Sequence, residues 1–133
     1  MQNDNVKIQK EKFLKNEIGT LAILGGFGRA NIYKKGVGEE DKSDFRKFIR
    51  ERFVKYGEQY LGNKSSEDEH FLNVKKFAKE VSTAYGRLLR GNRFRIGVAQ
   101  KVLNLYLKYL WVIWNIKIFH CPFDSRIIGK LGE

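Results

Sequence analysis

The sequence predicts an all-α fold, a compact single-domain helical bundle over residues 1–133. Three observations predict it. Apolar residues recur at three- and four-residue spacing along most of the chain, the period of a helix with one buried face. The gaps between these runs hold glycine, asparagine and serine, which end helices and form turns. The chain is 133 residues long, 42% hydrophobic and 14% aromatic, enough for one core and too short for two. One proline and 13 glycines argue against a linker-rich or collagen-like chain.

The elements follow in order, with no internal repeat. Residues 7–24 carry Phe13, Leu14, Ile18, Leu21 and Ala22 at helical spacing. Residues 25–43, "GGFGRANIYKKGVGEEDKS", hold five glycines and read as a loop, with a short extended piece at 30–33. A second helix is expected over 44–61, capped by Ser43 or Asp44, with Phe45, Phe48, Ile49, Phe53, Tyr56 and Tyr60 on one stripe. "GNKSS" breaks it. Ser66 and Glu69 form a capping-box pattern for a third helix reaching about Leu89. Glu67, Asp68 and Glu69 are the acidic residues expected in its first turn. "RGNRFRIG", residues 90–97, is a basic turn, and a fourth helix runs over 98–114. Residues 115–124 form a connector broken by Pro122, and Asp124 suits the N-cap of a last short helix.

Charge narrows the class of partner. Lys and Arg number 26 against 15 Asp and Glu, a formal net charge of +11. Such an excess points to a polyanion: nucleic acid first, an anionic membrane surface second. Cys121 is the only cysteine, so no internal disulfide forms, which suits a cytoplasmic protein. His70, His120 and Cys121 are the only soft ligands, fewer than a closed zinc site takes, so no metal is expected. The N-terminus is polar and lacks the apolar region of a signal peptide. Residues 102–119 approach the length of a membrane span, but Lys108 and Asn115 lie within, and a lysine in mid-span is expensive in lipid. A buried helix and no membrane partner are therefore expected.

"LAILGGFGRA" looks at first like a phosphate loop. Asn31 stands where the third glycine of a dinucleotide fingerprint belongs, and no Gly-Lys-Ser/Thr follows. A helix C-terminus leading into a loop is the better reading, with Arg29 free to meet a phosphate only if the loop lies near one. The fourth helix is apolar on most sides, yet Lys101, Asn104, Lys108 and Asn115 fall on one narrow stripe at about 100° per residue. That stripe is expected to face solvent or a wet groove, because unpaired buried lysines are costly. Before it, Gly97 ends a turn flanked by Arg90, Arg93 and Arg95. A glycine turn feeding a helix N-terminus offers backbone N–H groups to a phosphate.

Residues 95–103, "RIGVAQKVL", resemble the hairpin of the helix-hairpin-helix DNA glycosylases, with Ala99 where that hairpin carries its second glycine. "CPFDSR", residues 121–126, is similar to their apolar-Pro-Val-Asp element, and its Asp-x-Arg form is most like the archaeal 8-oxoguanine type. The resemblance covers roughly a third of the chain, residues 84–130. It implies a helix-hairpin-helix-like element, hairpin plus following helix, at 84–114, and a DNA partner. It implies base excision through a lysine nucleophile at Lys101 and an aspartate at Asp124, with no cofactor. Arg90, Arg93, Arg95, Gly97, Lys108 and Arg126 would contact DNA, and Tyr106, Trp111 and Phe123 would wall the pocket of a flipped base. The lysine would be held neutral by its apolar helix.

The rival reading is a non-catalytic adaptor whose partner is a protein. In it Tyr106, Trp111 and Trp114 form a surface patch. In the DNA reading Arg90, Arg93, Arg95 and Lys101 share one concave face. His120 and Cys121 read as packing at the connector, and nothing resembles a Ser-His-Asp set or a pair of glycosidase carboxylates.

Overall fold

The computed structural model describes residues 2–28, 30–62 and 67–114. Four α-helices make up most of them: α1 (Gln2–Phe27), α2 (Glu39–Gly62), α3 (Glu67–Tyr85) and α4 (Ile96–Trp114). The core is the meeting of four stripes. Ile18, Ala22 and Ile23 come from α1, Phe45, Ile49, Phe53, Tyr56 and Tyr60 from α2, Val74, Phe77 and Val81 from α3. From α4 come Ala99, Val102, Leu103, Tyr106, Leu107 and Leu110. The spacing of three and four in each set is what puts it on one helix face.

Helix boundaries differ from the sequence expectation, and each difference has a cause. The glycine-rich loop expected over 25–43 shrinks to residues 28–38, because Gly25 and Gly26 belong to α1. They serve close packing. A Cβ at Gly26 would stand 2.1 Å from Val102 Cγ1 and 2.9 Å from Val102 Cα, and one at Gly25 would stand 3.2 Å from Leu105 Cδ1. The backbone of α1 thus lies directly against α4, an approach only glycine allows. At the other end of the loop α2 starts at Glu39, ahead of Asp44. Glu39, Glu40 and Asp41 fill its first turn, where the helix dipole favours them. The Lys42 amide donates to Gly38 O (3.1 Å), which opens the helix.

Helix α3 stops at Tyr85, short of Leu89, and ten residues, 86–95, connect it to α4. The chain turns back on itself at Gly86, where a Cβ would meet Asn92 O at 2.6 Å. Two 3-10 turns follow, Gly86–Leu88 and Arg90–Asn92. The left-handed residues here are Gly91 (φ 70°) and Asn92 (φ 58°). Gly97 lies inside α4 without positive φ, so the tight turn expected at Gly97 is a longer connector turning at 91–92. Apolar side chains pin this connector. Leu88, Leu89 and Phe94 are buried, and Phe94 packs edge-on against Phe27, Phe45 and Phe77. The Phe94 amide donates to Ser82 Oγ (2.8 Å). The extended piece expected at 30–33 is realised as one antiparallel bridge, Tyr33 to Leu89. Its bonds are Lys34 N to Leu88 O (2.9 Å) and Arg90 N to Ile32 O (3.0 Å). The Lys34 ammonium also donates to Asn92 Oδ1.

Candidate nucleic-acid interface

Arg90, Arg93 and Arg95 are exposed because the residues beside them are not. Leu89 and Phe94 turn inward, each adding about 1.5–3 kcal/mol of burial that holds the backbone in place. Arg93 is extended (φ −150°, ψ 153°). In extended chain alternate side chains share a side, so Arg93 and Arg95 leave opposite to Phe94.

Three adjoining depressions surround Arg95, which lines them all. One, of ≈ 510 Å³, also holds Asn31, Arg90 and Arg93. A second, of ≈ 520 Å³, lies over the start of α4 and holds Phe27, Gly97 and Lys101. The third, of ≈ 530 Å³, opens toward α3 and holds Lys75, Lys79, Ser82 and Arg93. No aspartate or glutamate lines any of the three among the described residues. Nor does any of these cations form an ion pair with another described residue. Positive charge without a local counter-charge inside a concave surface raises the local concentration of anions. The Ala99 amide donates to Arg95 O (3.0 Å), so Arg95 is also the residue from which α4 begins. The first-turn amides of α4, Gly97 among them, have no acceptor within the helix.

A second group of cations gives a useful contrast. Lys12, Lys15, Lys47 and Arg50 line a cleft of ≈ 350 Å³ between α1 and α2, but Glu51 and Glu58 share it. Its mixed charge makes it a weaker anion site than the depressions around Arg95.

The four cations expected on one concave face, Arg90, Arg93, Arg95 and Lys101, line adjoining depressions. The rest of the expected site divides differently. Lys101 and Lys108 stand exposed, and Lys101 shares its depression with Phe27 and Val98. Tyr106, expected as a pocket wall or a surface patch, is 1% exposed and stacks on Phe53 at a centroid distance of 4.7 Å. Trp111 is 40% exposed. Arg29, Ser66, Asn115, His120, Cys121, Phe123, Asp124 and Arg126 lie outside the described residues, as does the side chain of Trp114.

Asn104, expected on a solvated stripe, points into a polar junction between α2, α3 and α4. The Tyr60 hydroxyl donates to His70 Nδ1 (2.5 Å), and His70 Nε2–H donates to Asn104 Oδ1 (2.9 Å). Asn104 Oδ1 can only accept, so the His70 proton sits on Nε2 and Nδ1 accepts from Tyr60, whose oxygen in turn accepts from the Asn73 amide (3.1 Å). Burial pushes the His70 pKa down and the Tyr60 pKa up, so both stay neutral near pH 7. Sequence reasoning missed this junction, together with Lys75 and Lys79. The i, i+4 pair Lys75 and Lys79 on the helix preceding the basic turn was the available signal.

Among the described residues, no group of three or more His, Cys, Asp or Glu side chains gathers to hold a metal ion. No helix among them is long and apolar enough to cross a membrane. No protein-family model, no curated protein and no solved structure matches the chain.

Proposed function

We propose that this chain binds nucleic acid, DNA first, through the connector between α3 and α4. The observation that carries the reading is the group of depressions that share Arg95, lined by Arg90, Arg93, Lys75, Lys79 and Lys101 and by no carboxylate among the described residues. Cations held on a pinned backbone grip phosphates without reading bases, so the binding is largely independent of sequence. Exposed cations lining depressions favour this partner over an anionic membrane, which meets a protein on a broad face that inserts apolar groups. A cytoplasmic setting belongs to the same reading.

The test is binding to DNA as a function of salt. Each phosphate contact contributes a slope of roughly −0.9 in log K against log salt for duplex and roughly −0.7 for a single strand. Replacing both Arg93 and Arg95 with alanine weakens binding and flattens the slope by about the two lost contacts. Unchanged affinity and slope in the double variant would remove the connector from the interface.

A catalytic reading extends this one. Lys101 lines the same depression as Arg95, which favours an amine acting near a phosphate-held nucleotide. In it the neutral Lys101 amine bonds to the anomeric carbon of a damaged nucleotide as the N-glycosidic bond breaks. The base leaves with that bond's electron pair and takes the proton the amine loses, and Asp124 supports the charge developing on the sugar. Arg126 and Lys108 would add phosphate contacts, and no cofactor takes part.

A further inference from the structure

We infer that the strand this surface takes is single, running through the depressions around Arg95 and stacking a base on Phe71. The inference rests on the nucleic-acid reading and narrows its substrate class.

Two observations carry it. The first is the shape of the basic surface. Its cations line recesses of ≈ 510, 520 and 530 Å³ that adjoin at Arg95. Recesses of that size admit a nucleotide-sized group. A flexible strand can dip into them in succession. A duplex carries its phosphates on the outside of a convex cylinder and meets only their rims. Duplex readers usually set a helix or ribbon into a major groove about 12 Å wide. Here α4, the helix nearest the arginines, begins at the surface and runs inward along Ala99, Val102, Leu103 and Tyr106.

The second observation is Phe71. It sits on α3 and is 47% exposed, so its ring is not spent on the core. Lys75 ties it to the basic track: its ammonium lies 4.9 Å from the Phe71 centroid, and its side chain lines the third depression. At about 100° per residue, Phe71, Lys75, Ala78 and Ser82 fall on one stripe of α3, and the last three line that depression. An exposed aromatic ring at the end of a cationic groove is how proteins hold single strands of any sequence, because every base has a π-face.

The experiment compares the full chain's affinity for a short fluorescent single strand with that for a blunt duplex of the same sequence. The proposal expects tighter binding of the single strand. Phe71→Leu, which keeps the apolar volume and removes the π-face, weakens single-strand binding by about five- to tenfold and leaves the salt slope unchanged. Lys75→Gln instead flattens that slope by roughly 0.7. Helical circular dichroism of both variants must match the parent. Duplex bound as tightly as the strand, with Phe71→Leu neutral, overturns the single-strand inference and leaves nucleic-acid binding standing. Salt-dependent binding to neither form overturns both.

Discussion

His70 shows how a single residue sets a pH limit on this fold. Its ring joins three helices as a neutral group, accepting from Tyr60 and donating to Asn104. Protonation would place an N–H at Nδ1, facing a Tyr60 oxygen that already accepts from Asn73. Burial therefore holds the folded-state pKa below the usual histidine value of about 6.5. The unfolded chain binds this proton more readily, so the stabilisation is full above about pH 6.5 and is lost as pH falls toward the lower folded value. We expect a lower urea midpoint at about pH 5 than at about pH 7.5. His70→Gln should cost about 1–3 kcal/mol at neutral pH, by leaving buried partners unsatisfied, and should shrink the change across this window. Equal pH dependence in parent and variant would assign the effect to other groups.

At the scale of the element, two glycines that look alike in sequence differ in what they do. Within a helix, Gly→Ala normally gains up to about 1 kcal/mol. At Gly26 the new Cβ would meet both the side chain and the backbone Cα of Val102, at 2.1 and 2.9 Å. Backbone cannot rotate aside, so α1 and α4 must separate, and overpacking of about 1–3 kcal/mol exceeds the propensity gain. At Gly97 nothing lies within 4 Å of the added Cβ and φ is not positive. Thermal melts should therefore show Gly26→Ala destabilised and Gly97→Ala unchanged or more stable. A destabilised Gly97→Ala would restore the tight glycine turn that the sequence suggested.

The same elements show what was legible in advance. The stripes of α2, α3 and α4 could be read because each helix buries one face at a fixed period. The glycines of α1 misled because glycine breaks a helix by local propensity, while close packing against α4 overrides it. Gly86 and Phe94 were not legible as the end and the anchor of a connector. Their roles depend on Asn92, Ser82 and Phe45, contacts set by the tertiary fold.

Across the whole molecule, the net charge of +11 pointed to a polyanion, but only the fold distributes that charge. Among the described residues it sets Arg90, Arg93, Arg95 and Lys101 in depressions that no carboxylate lines, joins Lys75 and Lys79 to them, and leaves Lys12, Lys15, Lys47 and Arg50 beside Glu51 and Glu58. The arginine cluster was legible because its members are near in sequence. The contribution of α3 was not, because it arrives by packing. The catalytic reading makes its own demand at this scale. If Lys101 is a nucleophile, borohydride should trap a covalent complex with DNA carrying an oxidised purine, and Lys101→Gln should abolish it while flattening the salt slope of binding by no more than about one phosphate contact. Equal trapping in the variant, or none on any lesion, would make Lys101 a binding residue only.

A bound polyanion should sit on the connector between α3 and α4. Hydrogen–deuterium exchange of the full chain, with and without a saturating oligonucleotide, tests it directly. Protection is expected over residues 86–101 and on the Lys75–Lys79 turn of α3, with the Lys12, Lys15, Lys47 and Arg50 cleft unchanged. Protection confined to that cleft, or absent from the connector, would contradict it.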